Sequence, residues 1–381
     1  MNEPLLLTPG PLTTSKSVKE AMLRDWGSRD GDFIELTRGV CESLVRIAGA
    51  DPASGAYACV PIQGSGTFAV EATIDTMVPR NGRLLILING AYGRRVQEIC
   101  AYINRDCEIL ECAEDAPTPV DQLAEVLAAD ASISHVAAFH CETTSGILNP
   151  LPKIAQVVTA AGRKLIVDAM STFGALPINA EALGLSGVIA SANKCLEGVP
   201  GMGFAVLKTD DLADAKGNAT SLSLDLHAQW QNFQNTSQWR FPPPTHVLAA
   251  LAQAITEHEG EGGIAGRGRR YADNCRILRD GMAAMGFEAL LPNDLQAPTI
   301  VTYHAPADPN YDFGAFYDAL HAKGFAIYPG KIAKTNSFRI GCIGHIDGDD
   351  IRRALAAIAE ILDEQNIVSR GGVRSNSQFK P

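Results

Sequence analysis

The chain has 381 residues, 46% hydrophobic and 20% charged, an ordinary globular composition long enough for a large domain and a smaller one. Its formal net charge of −11 argues against nucleic acid as a partner, which needs a basic stripe, but leaves room for a local cationic pocket. No apolar run approaches the roughly 18 residues of a membrane span, and MNEPLLLTPGPLTTSK lacks the basic flank and apolar core of a secretory signal. Nine cysteines without a C-x-x-C pair fit reduced thiols in a cytoplasmic protein. The eight histidines show no ligand spacing, so no metal is expected.

In chain order, the first signal is QGSGTFAVEA, 63–72. Gly64, Ser65, Gly66 and Thr67 precede a helix-like run, so backbone N–H groups can converge at a helix N-terminus and cradle a phosphate. The pattern also fits a dinucleotide fingerprint, and a tight helix-entry turn is the plain alternative. The next strand ends in Asn89, not an acidic residue, which argues against NAD.

Strands and helices then alternate. GRLLILING (82–90) reads as a buried strand and AYGRRVQEICAYIN (91–104) as a helix. CEILEC (107–112), SHVAAFH (134–140), RKLIVDAM (163–170), SGVIASAN (186–193) and GMGFAVLK (201–208) read as further strands. PVDQLAEVLAAD (119–130) and LPKIAQVVTAAG (151–162) read as helices. Continuous apolar strands separated by amphipathic helices predict an α/β domain with a mostly parallel sheet, whose ligands sit at the carboxyl ends of the strands.

Farther on, 266–286 reads as one long helix, APTIVTYHA (297–305) as a strand and FGAFYDALHAKG (313–324) as a helix. FAIYPG (325–330) and NSFRIGCIG (336–344) read as strands. Asp347 caps a final helix striped by Ile351, Ala354, Leu355, Ile358, Ile361 and Leu362. This part predicts a smaller α+β domain, and the end, VSRGGVRSNSQFKP, is polar.

Three polar residues interrupt this apolar pattern. Asp168 ends a strand, Lys194 follows another, and Arg339 lies inside a third. Alone, each has an ordinary explanation: a cap or ion pair for Asp168, a snorkelling lysine, an internal ion pair for Arg339. With the Gly64–Thr67 turn they match the needs of pyridoxal 5'-phosphate: a phosphate cradle, an amine for a Schiff base and a carboxylate for the pyridine nitrogen. Tyr92, at a strand end, could stack on such a ring.

These features, with LLLTPGPLTTS, DWGSRDGDF, HCETTSGILNPL, LIVDAMSTFGALP, SANKCLEGVPGMGF, FPPPTHVLAAL and GFAIYPGK…FRIGCIG, resemble the class V aminotransferase group of fold-type I pyridoxal-phosphate enzymes. DWGSRD, FPPPTH and IYPGK point to its phosphonate branch. The resemblance implies an aspartate aminotransferase-like fold with a seven-stranded type of sheet. The expected division is a large cofactor-binding domain at 16–265, a small domain from 1–15 and 266–367, and a polar tail at 368–381. It implies that Lys194 carries the cofactor, Asp168 pairs with the ring nitrogen and Tyr92 stacks on the ring. Ser65, Gly66, Thr67 and Asn193 would hold the phosphate, and Thr143 would sit near the ring hydroxyl. Thr245 would reach the phosphate of a neighbouring subunit's cofactor, making the enzyme a homodimer with its site at the interface. Arg339 would take the anionic end of the substrate, with Gly10 lining the same pocket. Arg29 is either a second anion contact or a surface arginine beside an acid.

The implied reaction is 2-aminoethylphosphonate plus pyruvate giving phosphonoacetaldehyde plus L-alanine. An alanine/serine–glyoxylate aminotransferase would share every cofactor residue. A lyase or desulfurase on the same fold would need a mobile catalytic cysteine, and Cys195 and Cys342 read instead as packing residues.

Overall fold

The computed structural model describes residues 3–332 and 335–369. Its centre is a seven-stranded sheet. In chain order the strands are β1 (Tyr57–Gly64), β2 (Arg83–Ile88), β3 (Cys107–Glu111), β4 (Ile133–Phe139), β5 (Lys164–Asp168), β6 (Gly187–Ser191) and β7 (Gly201–Lys208). Their spatial order is β1-β7-β6-β5-β4-β2-β3. All neighbours run parallel except β7, which is antiparallel to both β1 and β6.

The sheet is buried on both faces, which is why its strands read as unbroken apolar runs. On β2, Leu85 and Leu87 pack into one core cluster, while Leu84, Ile86 and Ile88 pack into the other. β5 divides likewise, with Leu165 and Val167 on one side and Ile166 on the other. Each such side chain contributes roughly 1.5–3 kcal/mol of burial. Among the covering helices are α1 (Gly31–Ile47), α2 (Gly66–Met77), α3 (Ala91–Tyr102), α4 (Val120–Ala129), α5 (Leu151–Ala160) and α6 (Thr245–Gly260).

The sequence reading did not single out β1, α1 or α6. Within β1, Pro61 lacks an N–H for a ladder and argues against a central strand. β1 is an edge strand, where such a residue is tolerated, and Pro61 sits opposite Phe204 of β7.

The second sheet contains β8 (Ile300–His304), β9 (Tyr328–Pro329) and β10 (Ser337–Gly341), with β10 in the middle and antiparallel to both. Helices α7 (Gly263–Ala284), α8 (Phe313–Ala322) and α9 (Gly348–Glu364) surround it and share its apolar cluster. Position 265, the expected edge of the large domain, falls inside α7. In α9 the Asp347 cap and Asp350 exchange reciprocal side-chain to backbone bonds, a capping box. Of its expected stripe, Leu355 is only half-buried, and Ala357 joins the buried face.

FAIYPG is not one strand. Leu5–Leu6 pairs in parallel with Phe325–Ala326, and Tyr328–Pro329 pairs with β10. The chain changes partner at Ile327, because the N-terminal segment occupies the first half. The N–H of Leu7 bonds Ala326, and its carbonyl accepts from Gly341 on β10. This threads residues 7–10 between the two sheets. Of the expected polar tail, 370–381 lies outside the described residues, while the N–H groups of Val368 and Ser369 each bond Asp308 at 2.8 Å.

Candidate active site

The carboxyl ends of the parallel strands open onto a cavity of about 550 Å³. Strand register sets Phe139, Asp168 and Ile189 side by side, so the segments that leave β4, β5 and β6 converge there.

Lys194 lies in the turn after β6 and lines the cavity. Its Nζ donates to the Pro9 carbonyl at 2.8 Å. Burial pulls its pKa down to about 8, against the opposing pull of Cys195 and Asp168. Gly10 makes this approach possible. Its φ is +119°, and a Cβ there would lie 2.6 Å from Lys194 Cδ and 2.8 Å from Nζ.

Asp168 is the last residue of β5. The Met170 N–H donates to its Oδ1 at 2.9 Å. Its carboxylate faces the cavity but sits deep below the protein surface, and burial raises its pKa to about 7. The Met170 bond lowers it, Glu142 raises it further, and Lys194 and Arg95 oppose. A cation placed against this carboxylate would restore its ionisation.

α2 presents its N-terminus to the same cavity. Ser65 is the N-cap, yet its hydroxyl makes no cap bond. The first-turn N–H groups of Gly66 and Thr67 have no partner within the helix. Gly66 packs against Met170, where a Cβ would lie 2.6 Å from the sulfur. Beside this turn, the Ser191 hydroxyl is buried without a hydrogen-bond partner. Thr67 Oγ1 accepts from Arg95 Nη1 at 3.3 Å.

Tyr92, near the start of α3, lines the cavity, and burial together with Glu142 raises its pKa. Its backbone N–H donates to Glu142 Oε2 at 3.3 Å. Thr143 Oγ1 and Ser171 Oγ are hydrogen-bonded at 2.5 Å, and Asn193 completes this wall. Arg339, buried in β10, lies behind Thr143: its Nη1 donates to the Thr143 carbonyl at 3.3 Å and its Nε to Pro329 at 3.1 Å.

Two expected residues stand apart. Arg29 is exposed in the turn before α1, and Thr245 opens α6. Neither lines the cavity of its own chain, and the buried Arg339 does not line it either. The sequence reading missed Arg95, Ser171, Ser191 and Glu142. Arg95 stands three residues after Tyr92, the spacing that shares a helix face, and this signal was readable.

The profile of the class-V aminotransferase family matches residues 61–305, well over half of the chain. The chain belongs to the class-V aminotransferases. Proteins named 2-aminoethylphosphonate–pyruvate transaminase are 55% identical in Pseudomonas fluorescens and 54% in a Pseudomonas putida strain. Each alignment spans 367 residues, 96% of this chain and 98–99% of the relative. The Pseudomonas aeruginosa relative of the same name is 53% identical over 365 residues, 96% of this chain and 98% of its own. Among solved structures, ureidoglycine–glyoxylate aminotransferase from Bacillus subtilis superimposes with a TM-score of 0.87 at 22% identity, covering 97% of this chain and 95% of the other. Alanine–glyoxylate aminotransferase from Nostoc gives 0.87 at 21% identity, covering 95% and 96%. These structures support the fold. Among its described residues, this class-V aminotransferase has no helix long and apolar enough to cross a membrane and no His/Cys/Asp/Glu group able to hold a metal ion.

Proposed function

We propose that this class-V aminotransferase moves the amino group of 2-aminoethylphosphonate to pyruvate, giving phosphonoacetaldehyde and L-alanine, with pyridoxal 5'-phosphate held on Lys194. The observation that carries the reading is 53–55% identity, over 96% of the chain, to proteins named for that reaction.

The residues fit the cofactor. The orphaned Ser191 hydroxyl, the unused Ser65 hydroxyl and the α2 N-terminus suit a phosphate. Tyr92 offers a ring face, Thr143 and Asn193 polar walls, and Asp168 a carboxylate for a protonated ring nitrogen. Bound there, pyridoxal phosphate supplies a carbonyl that takes up amines and a ring that draws electrons from the adjacent carbon. Burial keeps a useful share of Lys194 Nζ neutral near pH 8, as an amine nucleophile requires. The same atom is the group that takes and returns the proton at the amine-bearing carbon of the substrate. Asp168, once beside a cation, stays ionised and holds the ring-nitrogen proton. Arg339, buried behind Thr143 with Nε and Nη1 on backbone carbonyls, would reach the phosphonate of one substrate and the carboxylate of the other in turn through its remaining nitrogen, Nη2.

The enzyme is read as a homodimer. Thr245 lies off its own cavity, and its expected place at a neighbouring subunit's cofactor phosphate gives this half-buried helix start a role. Free thiols at every described cysteine are in keeping with a cytoplasmic setting. The discriminating experiment compares turnover of 2-aminoethylphosphonate with pyruvate against that of alanine with glyoxylate. The phosphonate pair is expected to be faster, and a clear advantage for the glyoxylate pair would overturn the substrate assignment.

A further inference from the structure

Arg95 is a cavity cation to which the proposed chemistry of Lys194, Asp168 and Arg339 assigns no step, beyond its pull on the Asp168 carboxylate. Neighbouring Arg94 pairs with Glu111, and Arg105 pairs with Asp75. Arg95, among the described residues, forms no ion pair and instead lines the cavity. Its Nη1 donates to Thr67 Oγ1 at 3.3 Å, and its Cζ stands 5.0 Å from the centre of the Tyr92 ring. A half-buried guanidinium aimed into a pocket without a carboxylate partner is matched by an incoming anion.

We propose that Arg95 is a binding residue for the phosphate of the cofactor, supplying the full positive charge that the α2 N-terminus lacks. The inference rests on the pyridoxal-phosphate reading of this cavity. A helix N-terminus carries about half a unit of positive charge, whereas a phosphate monoester carries about −1.5 to −2 near neutral pH. The hydroxyls of Ser65, Thr67 and Ser191 donate hydrogen bonds but add no charge. Lys194 is committed to the cofactor's other end, and Arg339 lies behind Thr143 with Nε and Nη1 on backbone carbonyls. Of the cations lining the cavity among the described residues, Arg95 and Lys194, Arg95 is the one bonded to Thr67. Its bond to Thr67 also has a direction: by accepting there, Oγ1 leaves its own proton free to donate into the cavity. One side chain thus adds charge to the cradle and orients a second donor in it.

The test removes the cofactor from wild type, Arg95→Gln and Arg95→Lys, then titrates each with pyridoxal 5'-phosphate and separately with pyridoxal, which lacks the phosphate. Uptake is followed by absorbance, and folding by circular dichroism. Arg95→Gln is expected to raise the Kd for pyridoxal 5'-phosphate about tenfold or more, the scale of a hydrogen bond to a charged group, with pyridoxal affected far less. Arg95→Lys should recover part of the loss. Equal weakening of both compounds would overturn the proposal, since Arg95 would then act only through Tyr92 and the ring. An unchanged cofactor Kd with a raised KM for 2-aminoethylphosphonate would also overturn it and move Arg95 to the substrate. Wild-type protein that takes up neither compound would overturn the cofactor reading itself, a separate result.

Discussion

Gly10→Ala, set beside Gly55→Ala, isolates how closely the N-terminal segment seats Lys194. Both glycines have left-handed backbone, with φ of +119° and +70°. A side chain at such a position costs about 1–2 kcal/mol. At Gly55 a Cβ would meet nothing within 4 Å, so the backbone penalty is the whole effect. At Gly10 the new methyl would lie 2.6 Å from Lys194 Cδ, 2.8 Å from Nζ and 2.9 Å from the Asn193 carbonyl. The lysine can swing away, but the carbonyl is backbone and must shift with its loop. Overpacking of this kind typically costs a further 1–3 kcal/mol or so. Gly10→Ala should therefore lose roughly 2–5 kcal/mol and Gly55→Ala roughly 1–2. Urea unfolding of the cofactor-free proteins gives the stabilities, and absorbance of the lysine-bound cofactor reports the seat of Lys194. Gly55→Ala should keep a normal spectrum and turnover, while Gly10→Ala should lose most of both. Equal stability losses with an unaltered Gly10→Ala spectrum would refute the close approach.

Further expectations concern charge and the thiols. Reconstitution of cofactor-free enzyme with pyridoxal 5'-phosphate should quicken as pH rises toward about 8, where neutral Lys194 becomes the major form, and then level off. A rate still climbing toward the ordinary lysine pKa of about 10.4 would contradict the buried amine. Asp168→Asn should retain the cofactor but cut kcat by about 10- to 100-fold, the equivalent of one hydrogen bond to a charged group; unimpaired turnover would remove Asp168 from the chemistry. Burial raises the Glu261 pKa, but bonds from Arg270 and Arg267 outweigh it and hold the value at about 2, against 4.5 in the unfolded chain. A depressed carboxylate stabilises fully above the unfolded value, so its contribution should fade as pH drops from about 4.5 toward 2. Glu261→Gln should flatten the acid limb of the stability curve, and an unchanged limb would deny the pairing. Cys195 is fully buried, with its thiol on the Ser171 carbonyl and its pKa raised to about 12 by burial, so Cys195→Ala should keep transamination. Its loss with an intact fold would revive a thiol-based reaction.

Much of the architecture was legible because two-sided burial leaves a plain mark. A strand such as Leu84–Ile88 must be apolar at every position, and a lysine or aspartate at the end of one stands out. That contrast exposed Asp168 and Lys194. Arg95, Ser191 and Glu142 were harder to place, since their worth depends on which way a side chain turns. Arg95 lies beside Arg94; the i+3 spacing from Tyr92 favours Arg95 on the cavity face, and the structure sends Arg94 outward to Glu111 and Arg95 to Thr67. Glu142 carries no signal in the sequence, yet it is buried and bonded to Thr144 and the Tyr92 backbone. FAIYPG looked like one strand because the residues that divide it, Leu5–Leu7, come from the far end of the chain. The role expected for Thr245 depends on the proposed second subunit, and Arg29 is exposed before α1, off its own chain's cavity.

The most direct test of the central claim is a single-turnover experiment on the cofactor-loaded enzyme. 2-Aminoethylphosphonate is added alone, and pyruvate is added after the aldehyde is removed. The first addition should discharge the cofactor from Lys194 into its amine form and release phosphonoacetaldehyde. The second should restore the starting spectrum and yield L-alanine. A spectrum unmoved by the phosphonate, in enzyme that responds to another amino donor, would contradict the proposed function.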